Sequence, residues 1–280
     1  MMIGFIGAGK VGCTLAKYFS LCGMQVAGFY SRSYEQAQVA SKFTQSQAYS
    51  TLNELVKDCD CLFLTVPDHQ IAVVWQSLCQ LPISNKWIGH CSGLLTSNVF
   101  ISHQAVHPFA FSLHPLYAIY DRFDCYHAMS KVFFTLEANK QAISQLKQFL
   151  KPLKNPIAIL SADKKPLYHA ACVILSNQVI ALAQIGSDLF TKCELDTEFS
   201  QQAWHRLFLD NAKNICKEGT IAALTGPIER ADVETIKEHL AVIPTDVKPL
   251  YKQLSSILVN LSRKKHPNKN YRQLELELLP

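Results

Sequence analysis

A chain of 280 residues is long enough for one large domain or two ordinary ones. Apolar residues make up 49% and charged residues 18%, which is typical of a globular protein with a sizeable core and excludes a disordered chain. The net charge of +5 is matched by one C-terminal stretch containing Arg263, Lys264, Lys265, Lys269 and Arg272. No stacking aromatics are interleaved with these charges on a folded face, so we expect a solvated basic tail over 263–280 and no nucleic-acid partner.

The apolar segments of the chain are short. No apolar run reaches the ~18 residues that span a bilayer, so we expect no membrane partner. The run Met2–Ile6 ends at a Gly-rich turn and has no basic segment before it, which indicates a strand rather than a signal peptide.

The ten cysteines are scattered, and the neighbours Cys59 and Cys61 lack the spacing of a zinc knuckle. This pattern predicts a reduced, cytoplasmic protein. A metal site could combine His103, His107 and His114 with His90 or Cys91. His103 and His107 have the i, i+4 spacing of zinc helices, but no acid accompanies them and Pro108 follows. We therefore expect no metal site.

Short β-rich runs alternate with amphipathic stretches in the first part of the chain, which is typical of a parallel sheet covered by helices. The predicted strands are Met2–Ile6, Gln25–Tyr30, Cys61–Val66, Trp87–Cys91 and Val132–Leu136. The predicted helices are Val11–Cys22, Tyr34–Lys42, Ile71–Leu78 and Lys140–Leu150. After Ala162 only helical patterns follow, over Lys165–Lys192, Thr197–Glu218, Asp232–His239 and Lys248–Arg263. The sequence therefore predicts an α/β fold, with a Rossmann doubly wound parallel sheet over 1–155 and an all-helical domain over 156–262.

A G-x-G-x-x-G sequence lies between the first strand and the first helix: Gly7, Ala8, Gly9, Lys10, Val11 and Gly12. In this dinucleotide fingerprint the first glycine permits a tight turn, the second admits the pyrophosphate and the third lets the helix pack close to the strand. The N–H groups and the positive end of the helix then bind the anion. The alternative is a Gly-rich turn without a ligand.

The second strand ends at Ser31, Arg32 and Ser33, where an NAD enzyme would carry an acid for the ribose 2′-OH. A guanidinium pairs with a 2′-phosphate and hydroxyls donate to it, so this segment favours NADP over NAD. The alternative is that Arg32 is an ordinary surface residue.

The third and fourth predicted strands end with further candidate site residues. Thr65, Val66 and Pro67 lie at the end of one strand and are expected beside the nicotinamide ribose or the pyrophosphate. The alternative is that Pro67 stops the strand for structural reasons alone. Cys91 is expected beside the cofactor. Ser92 and its neighbouring backbone are candidates for binding a carboxylate or carbonyl of the substrate.

Three polar side chains complete the candidate site. His114 lies in a predicted polar loop, Ser112–Tyr117, and is either a proton donor or a histidine satisfied by backbone. His169 and Asn177 lie on an otherwise apolar helix, where polar groups are kept when something hydrogen-bonds them. They are candidates for a proton donor and a substrate-orienting amide, or for an interdomain hydrogen-bond network.

The chain resembles enzymes of the 6-phosphogluconate dehydrogenase-like clan, which includes β-hydroxyacid dehydrogenases, ketopantoate reductase and pyrroline-5-carboxylate reductase. It is most similar to the Rossmann-like family known as domain of unknown function 2520. The resemblance rests on six segments: Gly7–Gly12, Leu64–Asp68, His90–Gly93, Ser112–Tyr117, Tyr168–Asn177 and Leu224–Asp232. It implies an NADP oxidoreductase acting on a small-molecule substrate, and a homodimer formed through the helical domains.

One departure from the clan concerns its catalytic lysine. In β-hydroxyacid dehydrogenases a lysine precedes the helix asparagine by four residues, but here that position is Val173. His169 or Lys165 would have to replace it. The segment Glu218–Ile221 resembles the Gly-Thr loop of pyrroline-5-carboxylate reductase, which suggests a carbonyl or imine substrate. The alternative is a non-catalytic NADP(H)-binding or sensing protein.

Overall fold

The computed structural model describes residues 1–102, 105–107 and 109–279. The strands are β1 Met2–Ile6, β2 Gln25–Tyr30, β3 Gln47–Tyr49, β4 Cys61–Leu64, β5 Trp87–His90, β6 Ile101–Ser102, β7 Ala105–Val106, β8 Ala110–Pro115, β9 Phe134–Ala138 and β10 Ile157–Ile159. The helices are α1 Lys10–Leu21, α2 Tyr34–Thr44, α3 Leu52–Asp58, α4 Asp68–Leu78, α5 Lys140–Leu150, α6 Lys165–Val173, α7 Val179–Lys192, α8 Thr197–Ala223, α9 Pro227–Arg230, α10 Val233–Val242, α11 Lys248–Lys265 and α12 Arg272–Glu277. A π-helical turn, Ile174–Gln178, joins α6 to α7.

The first compact unit, Met1–Ser176, contains an eight-stranded sheet in the order β10-β9-β8-β5-β4-β1-β2-β3. Neighbouring strands from β3 to β8 are parallel, β9 is antiparallel to β8, and β10 is parallel to β9. Because the chain turns from β1 to β2 on one side and later returns to β4 on the other, the carboxyl ends of β1 and β4 form a switch point of the kind that binds ligands. The predicted α/β fold with a helical C-terminal part is confirmed.

Both faces of the sheet are buried, as a parallel sheet requires. On one face Phe5 packs against Phe63 and against Phe19 of α1, with ring centroids 5.6 and 6.1 Å apart. On the other face Leu64 packs in a cluster that includes Trp75 of α4. This core fixes the carboxyl ends of the strands, from which the functional side chains emerge.

The structure corrects one predicted loop. Ser112–Tyr117 was expected to be a polar loop, but residues up to Pro115 belong to β8. Phe111 and Leu113 are buried in the core, and Ser112 and His114 alternate with them on the other side of the strand. Apolar and polar residues alternate in this segment, as they do in a strand, but the polar Ser112 and His114 favoured a loop in the sequence analysis.

Other boundaries differ by a few residues. The strands predicted over Cys61–Val66 and Trp87–Cys91 end earlier, at Leu64 and His90. The strand β9 begins two residues later than predicted. The short elements α3 and β3 were not predicted. Of the two histidines with the spacing of a zinc helix, His103 lies outside the described residues, as does Pro108, and the ring of His107 hydrogen-bonds Ile83 O.

The expected boundary at residue 155 differs from the division in the structure. The strand β10 pairs with β9, and α6 also lies within the first unit, which extends to Ser176. The second unit, Asn177–Pro280, is helical. Gly219 interrupts α8 with a φ of +80°, so this helix is kinked.

The segment expected to be a solvated tail is part of the core of the second unit. Tyr271, Leu274 and Leu278 are buried there with Ile236 and Val259. Their i, i+3, i+7 spacing forms an apolar stripe that the basic composition obscured. The characteristic segment Leu224–Asp232 packs here as well.

That segment contributes to the structure of the second unit. Gly226 has a φ of +103°, Asp232 caps α10 by accepting from Thr235 N, and Glu229 pairs with His266. Tyr271 Oη donates to the backbone carbonyl of Glu229. The segment therefore ties α9, α10 and the C-terminal residues together.

One helical run of the described residues, Ala162–Lys192, is long and apolar enough to cross a membrane by length and composition alone. None of its most apolar 18-residue window is buried within the chain. The π-helical turn interrupts this run. Core helices of soluble proteins can meet the same criteria of length and composition.

Candidate active site

The turn between β1 and α1 has the geometry of a dinucleotide cradle. Gly7 has a φ of +107°, a conformation that favours glycine. A Cβ on Gly12 would lie 2.4 Å from Gly7 O and 2.6 Å from Thr65 Oγ1, so the third glycine lets α1 pack against the strand ends. No described atom lies within 4 Å of the position that a Cβ on Gly9 would take. The open space is therefore at the glycine that the fingerprint reserves for the pyrophosphate.

A cleft of about 270 Å³ extends from this turn across the carboxyl ends of β1, β2 and β4. Of the predicted cofactor residues, eight line it: Gly7, Ala8, Gly9, Ser31, Arg32, Thr65, Val66 and Pro67. Lys10 is exposed in the first turn of α1, and Ser33 Oγ caps α2 by accepting from Gln36 N. Val11, Gly12 and Cys91 do not line the cleft.

Gln36 also lines the cleft and is held by a residue that the sequence did not single out. Arg122 donates from Nη1 to Gln36 Oε1 at 2.6 Å and from Nη2 to Gln36 O at 3.0 Å, and its Nε contacts Cys13 Sγ at 3.2 Å. Arg32, by contrast, forms no ion pair among the described residues. Its guanidinium is therefore available to a ligand.

The loop after β5 is fixed by hydrogen bonds at both of its ends. Ser92 Oγ donates to Asp68 at 2.6 Å and accepts from the N–H groups of Leu94 and Leu95 at 3.1 and 2.9 Å. At the other end, Ser97 donates from N and Oγ to the buried carboxylate of Glu137 at 2.7 and 2.8 Å. The Ser92 hydroxyl thus holds the loop, and its hydrogen-bonding capacity is taken up by protein groups.

The buried ring of His90 connects two backbone groups of this loop. Its Nδ1 accepts from Ser92 N at 3.1 Å, so its Nε2 is the atom that donates to Thr96 O at 3.2 Å. Burial lowers the pKa of His90 to about 4, with the Lys165 ammonium adding to the effect. The imidazole is therefore neutral near pH 7 and serves as a bridge within the loop.

Lys165 lies beneath the Ser92 loop and is only 1% exposed. Its Nζ donates to Ser92 O at 2.9 Å and to Ser112 Oγ at 2.6 Å. Burial lowers the pKa of Lys165 to about 8, while the carboxylates of Glu137 and Asp68 oppose that shift. A cation is thus held under the backbone at the end of β5.

His114 lies at the carboxyl end of β8 and is hydrogen-bonded to a tyrosine of α6. Its Nδ1 is 2.7 Å from Tyr168 Oη, and Thr135 Oγ1 of β9 donates to the same Tyr168 oxygen at 3.2 Å. Burial, reinforced by Lys165 and His169, lowers the pKa of His114 to about 4. His114 is therefore a neutral imidazole, and its partner is a side chain rather than the backbone.

Gly93 brings the two candidate histidines together. A Cβ on Gly93 would lie 2.7 Å from Cδ2 of His169 and 3.0 Å from Nε2 of His114. Both rings are partly exposed and meet at the end of β5, where parallel sheets place substrates. Predicted residues from β5, β8 and α6 thus converge on one point.

Two predicted residues differ in character from these. Burial raises the pKa of the Cys91 thiol to about 12, so it is a neutral thiol near pH 7. Asn177 lies in the π-helical turn and begins the second compact unit. The structure adds further residues without a predicted role at this end of the sheet, among them Thr135, Glu137, Tyr168 and Asp68. For the two on β9, the alternation of Thr135 and Glu137 along the strand was the available sequence signal.

Residues 132–257 match the family described as Domain of unknown function (DUF2520), and residues 2–88 match the family described as NADP oxidoreductase coenzyme F420-dependent. The predicted family resemblance is confirmed. No curated protein sequence matches the chain.

Solved structures share the fold over nearly the whole chain. Protein TM1727 from Thermotoga maritima is 25% identical, with a TM-score of 0.75 over 94% of this chain and 99% of that one. Protein BF3122 from Bacteroides fragilis, provisionally described as an NADP oxidoreductase, is 20% identical, with a TM-score of 0.68 over 95% and 98% of the two chains. A pyrroline-5-carboxylate reductase from Coxiella burnetii is 13% identical, with a TM-score of 0.61 over 94% and 97%. The chain thus shares its fold with these proteins over nearly its whole length.

Proposed function

We propose that this protein is an NADP-dependent oxidoreductase that transfers hydride between NADPH and a small carbonyl or imine substrate. The observation that carries the proposal is the placement of two features on one edge of one sheet. The open cradle at Gly9 lies at the end of β1, and the His114–His169 pair lies at the end of β5, with β4 between them. A nucleotide bound along this edge would bring its reactive end toward the histidines.

The residues present fit the cofactor. The space at Gly9 is open to a pyrophosphate, and the N-terminus of the twelve-residue α1 provides N–H donors and a positive dipole end. Arg32 is exposed at the rim of the cleft without an acidic partner among the described residues, which suits a 2′-phosphate. When bound, NADPH would supply the hydride. The protein then has to bind the substrate, exclude water and manage one proton.

The substrate side would use the residues around Gly93. His169 and His114 present ring edges at this point, and Lys165 contributes positive charge from beneath the loop. Ser92 acts by holding the loop rather than by touching the substrate, since its hydroxyl is already engaged. The proton donor is assigned to this histidine pair.

A non-catalytic NADP(H)-binding protein is the alternative, and two observations favour it. The catalytic lysine of the β-hydroxyacid dehydrogenases is replaced by Val173, and the Ser92 hydroxyl is not available to a substrate. Turnover of NADPH with any member of a carbonyl and imine panel excludes this alternative. For an enzyme, His169→Ala is expected to lower turnover while nucleotide affinity stays the same.

The binding of the 2′-phosphate can be tested by removing the Arg32 charge. We expect Arg32→Gln to weaken NADPH binding by about 10-fold or more, because charge-assisted pairs with phosphate contribute roughly 1.5–3 kcal/mol. Binding of NADH, which lacks the phosphate, is expected to change little. Calorimetry with both nucleotides measures the two affinities.

The matched control is Lys57→Gln, which removes one exposed charge from the last turn of α3, on the side of the sheet where β4 begins. It is expected to leave both affinities unchanged. Equal losses of NADPH and NADH affinity in Arg32→Gln would contradict the assignment. No binding of either nucleotide to the unmodified protein would overturn the proposed function.

We also propose a homodimer formed through the helical second unit. Apolar side chains that are exposed in the single chain cover α7 and α8, among them Ile180, Leu182, Leu207, Phe208 and Leu209. Exposed apolar patches of this kind mark interaction surfaces. The location of the protein stays a prediction: all ten cysteines are free thiols, which suits the cytoplasm.

A further inference from the structure

We propose that the substrate of this site is a carbonyl compound, or the corresponding alcohol, and that its oxygen is bound by Nε2 of His114 and receives a proton through a relay from Tyr168. This inference rests on the proposed function and deepens it, because the fold and its relatives leave both carbonyl and imine substrates open.

The hydrogen bonds around Tyr168 fix the tautomer of His114. Thr135 Oγ1 donates to Tyr168 Oη, whose remaining neighbours are His114 Nδ1 at 2.7 Å and the Cys172 thiol; we assign the hydroxyl proton to His114 Nδ1, because nitrogen is the stronger acceptor. Because Nδ1 accepts, the single N–H proton of a neutral His114 is on Nε2. Burial and the nearby Lys165 cation keep this ring neutral, with a pKa lowered to about 4.

The Nε2 atom is the one that faces the site. It lies 3.0 Å from the position that a Cβ on Gly93 would take, at the end of β5. The same position is 2.7 Å from Cδ2 of His169, so only a residue without a Cβ fits beside the two rings. A substrate oxygen that approaches the partly exposed ring of His114 would accept a hydrogen bond from a neutral donor.

The N–H donor at Nε2 of His114 favours oxygen over a protonated nitrogen, because a carbonyl oxygen has lone pairs and an iminium nitrogen has none. Lys165 is the buried cation nearest the loop, and His169 is the other titratable group of α6 that faces His114. The carboxylate of Glu137 is engaged by Ser97, and that of Asp68 accepts from Ser92. These two carboxylates stay charged and offset the Lys165 ammonium, so the selection depends on the Nε2–H donor and not on net charge.

The proton transfer balances without any further oxidant or reductant. When hydride adds to the carbonyl carbon, the electron pair of the C=O π bond moves to oxygen. The Nε2–H bond of His114 breaks as its proton passes to that oxygen, and Nδ1 takes the hydroxyl proton of Tyr168. The imidazole stays neutral in its other tautomer. Burial raises the pKa of Tyr168, so the tyrosinate is short-lived: it accepts from the Thr135 hydroxyl and regains a proton from water. Tyr168 is thus a positioning and proton-supplying residue that acts through His114.

The test compares two histidine–tyrosine pairs of the same chain. Tyr168→Phe removes the relay, and the matched control is Tyr251→Phe, which breaks the analogous 2.8 Å contact between Tyr251 Oη and His239 Nδ1. Nitrogen-15 NMR of the imidazoles in the full chain without cofactor is the first measurement. We expect His114 to carry its proton on Nε2 in the unmodified protein and in Tyr251→Phe, and to become a mixture of tautomers in Tyr168→Phe. A proton on Nδ1 in the unmodified protein overturns the relay.

Activity with NADPH is the second measurement, using short aldehydes, 2-keto acids and cyclic imines as probes. We expect turnover of carbonyl probes and a fall in kcat of about 100-fold for Tyr168→Phe with little change in KM, the loss typical of a general acid. Turnover of imines alone overturns the substrate class but leaves the proposed function standing. NADPH binding without turnover of any probe overturns both.

Discussion

At the scale of single residues, the site is defined by a buried ammonium group among neutral imidazoles. Lys165 donates to Ser92 O and Ser112 Oγ, and its charge helps to keep His90 and His114 neutral. Neutral imidazoles donate hydrogen bonds with defined tautomers, which a mixture of protonation states would not allow. Lys165 therefore has an electrostatic effect on side chains that it does not touch.

The lowered pKa of Lys165 predicts a pH-dependent stability. Its pKa is about 8 in the folded chain, below the ordinary value of 10.5, so between these values the unfolded chain binds more protons than the folded one. The free energy of unfolding of the unmodified protein should therefore rise relative to that of Lys165→Met as the pH rises from 8 to 10.5. Below pH 8 both states hold the proton and the difference should be constant.

Urea unfolding at a series of pH values measures this difference. Lys164→Met is the matched control, since the neighbouring Lys164 side chain is 65% exposed. It should show no relative change with pH. A difference between the unmodified protein and Lys165→Met that stays flat up to pH 10.5 would exclude a depressed pKa.

At the scale of elements, we expect two glycines in the turn between β1 and α1 to have different roles, Gly12 in folding and Gly9 in binding. A Cβ on Gly12 would meet backbone and Thr65, whereas a Cβ on Gly9 would enter open space. We expect Gly12→Ala to lower the free energy of unfolding by about 1–3 kcal/mol, as overpacking does. Gly9→Ala should leave stability almost unchanged, because its φ of −83° suits alanine, and should weaken NADPH binding instead.

Thermal unfolding and nucleotide calorimetry on the two variants check this pair. Each alanine serves as the control for the other. An unchanged NADPH affinity in Gly9→Ala would argue against a pyrophosphate at this turn.

The elements were predictable where periodicity and glycines carry the signal. The strands β1 and β2 and the helix α5 lie where predicted, because continuous apolar runs in the strands and amphipathic spacing in the helix extend over enough residues there. The short α3 was missed although Thr51 and Glu54 form a capping box. The helix is only seven residues long, which is too short for its apolar period to be visible.

The site was only partly predictable for a different reason. His114 and His169 could be selected as polar residues in apolar surroundings, but their meeting over Gly93 depends on β8 lying beside β5. The role of Tyr168 depends further on β9 returning antiparallel to β8, which places Thr135 opposite His114. Such pairings between distant segments leave no local signal in one sequence.

At the scale of the whole molecule, exposed apolar surface in the second unit is the main feature that the single chain leaves unexplained. A groove of about 380 Å³ on α7 and α8 is lined by residues that include Leu182, Phe190, Trp204 and Leu207. The indole N–H of Trp204 is buried without a hydrogen-bond partner among the described residues. Both features suit a surface that a second copy of the chain covers.

A charge placed on this surface should prevent dimerisation. We expect the unmodified protein to sediment at twice its chain mass of 31.4 kDa, and Leu207→Lys, at a side chain 67% exposed in the single chain, to sediment as a monomer. Val73→Lys, at a 53% exposed position on α4, is the control and should remain a dimer. A monomeric unmodified protein that binds lipid vesicles would instead assign the apolar surface to a membrane.

The loop from Ser92 to Ser97 has a thermodynamic consequence for ligand recognition. Because Asp68 and Glu137 tether its two ends, its conformational entropy is lost when the chain folds and not when a ligand arrives. The amide protons of Leu94, Leu95 and Ser97 should accordingly exchange slowly even in ligand-free protein. Binding then costs little conformational entropy in this loop. Differences in affinity between ligands therefore reflect their own contacts with a surface that is already rigid.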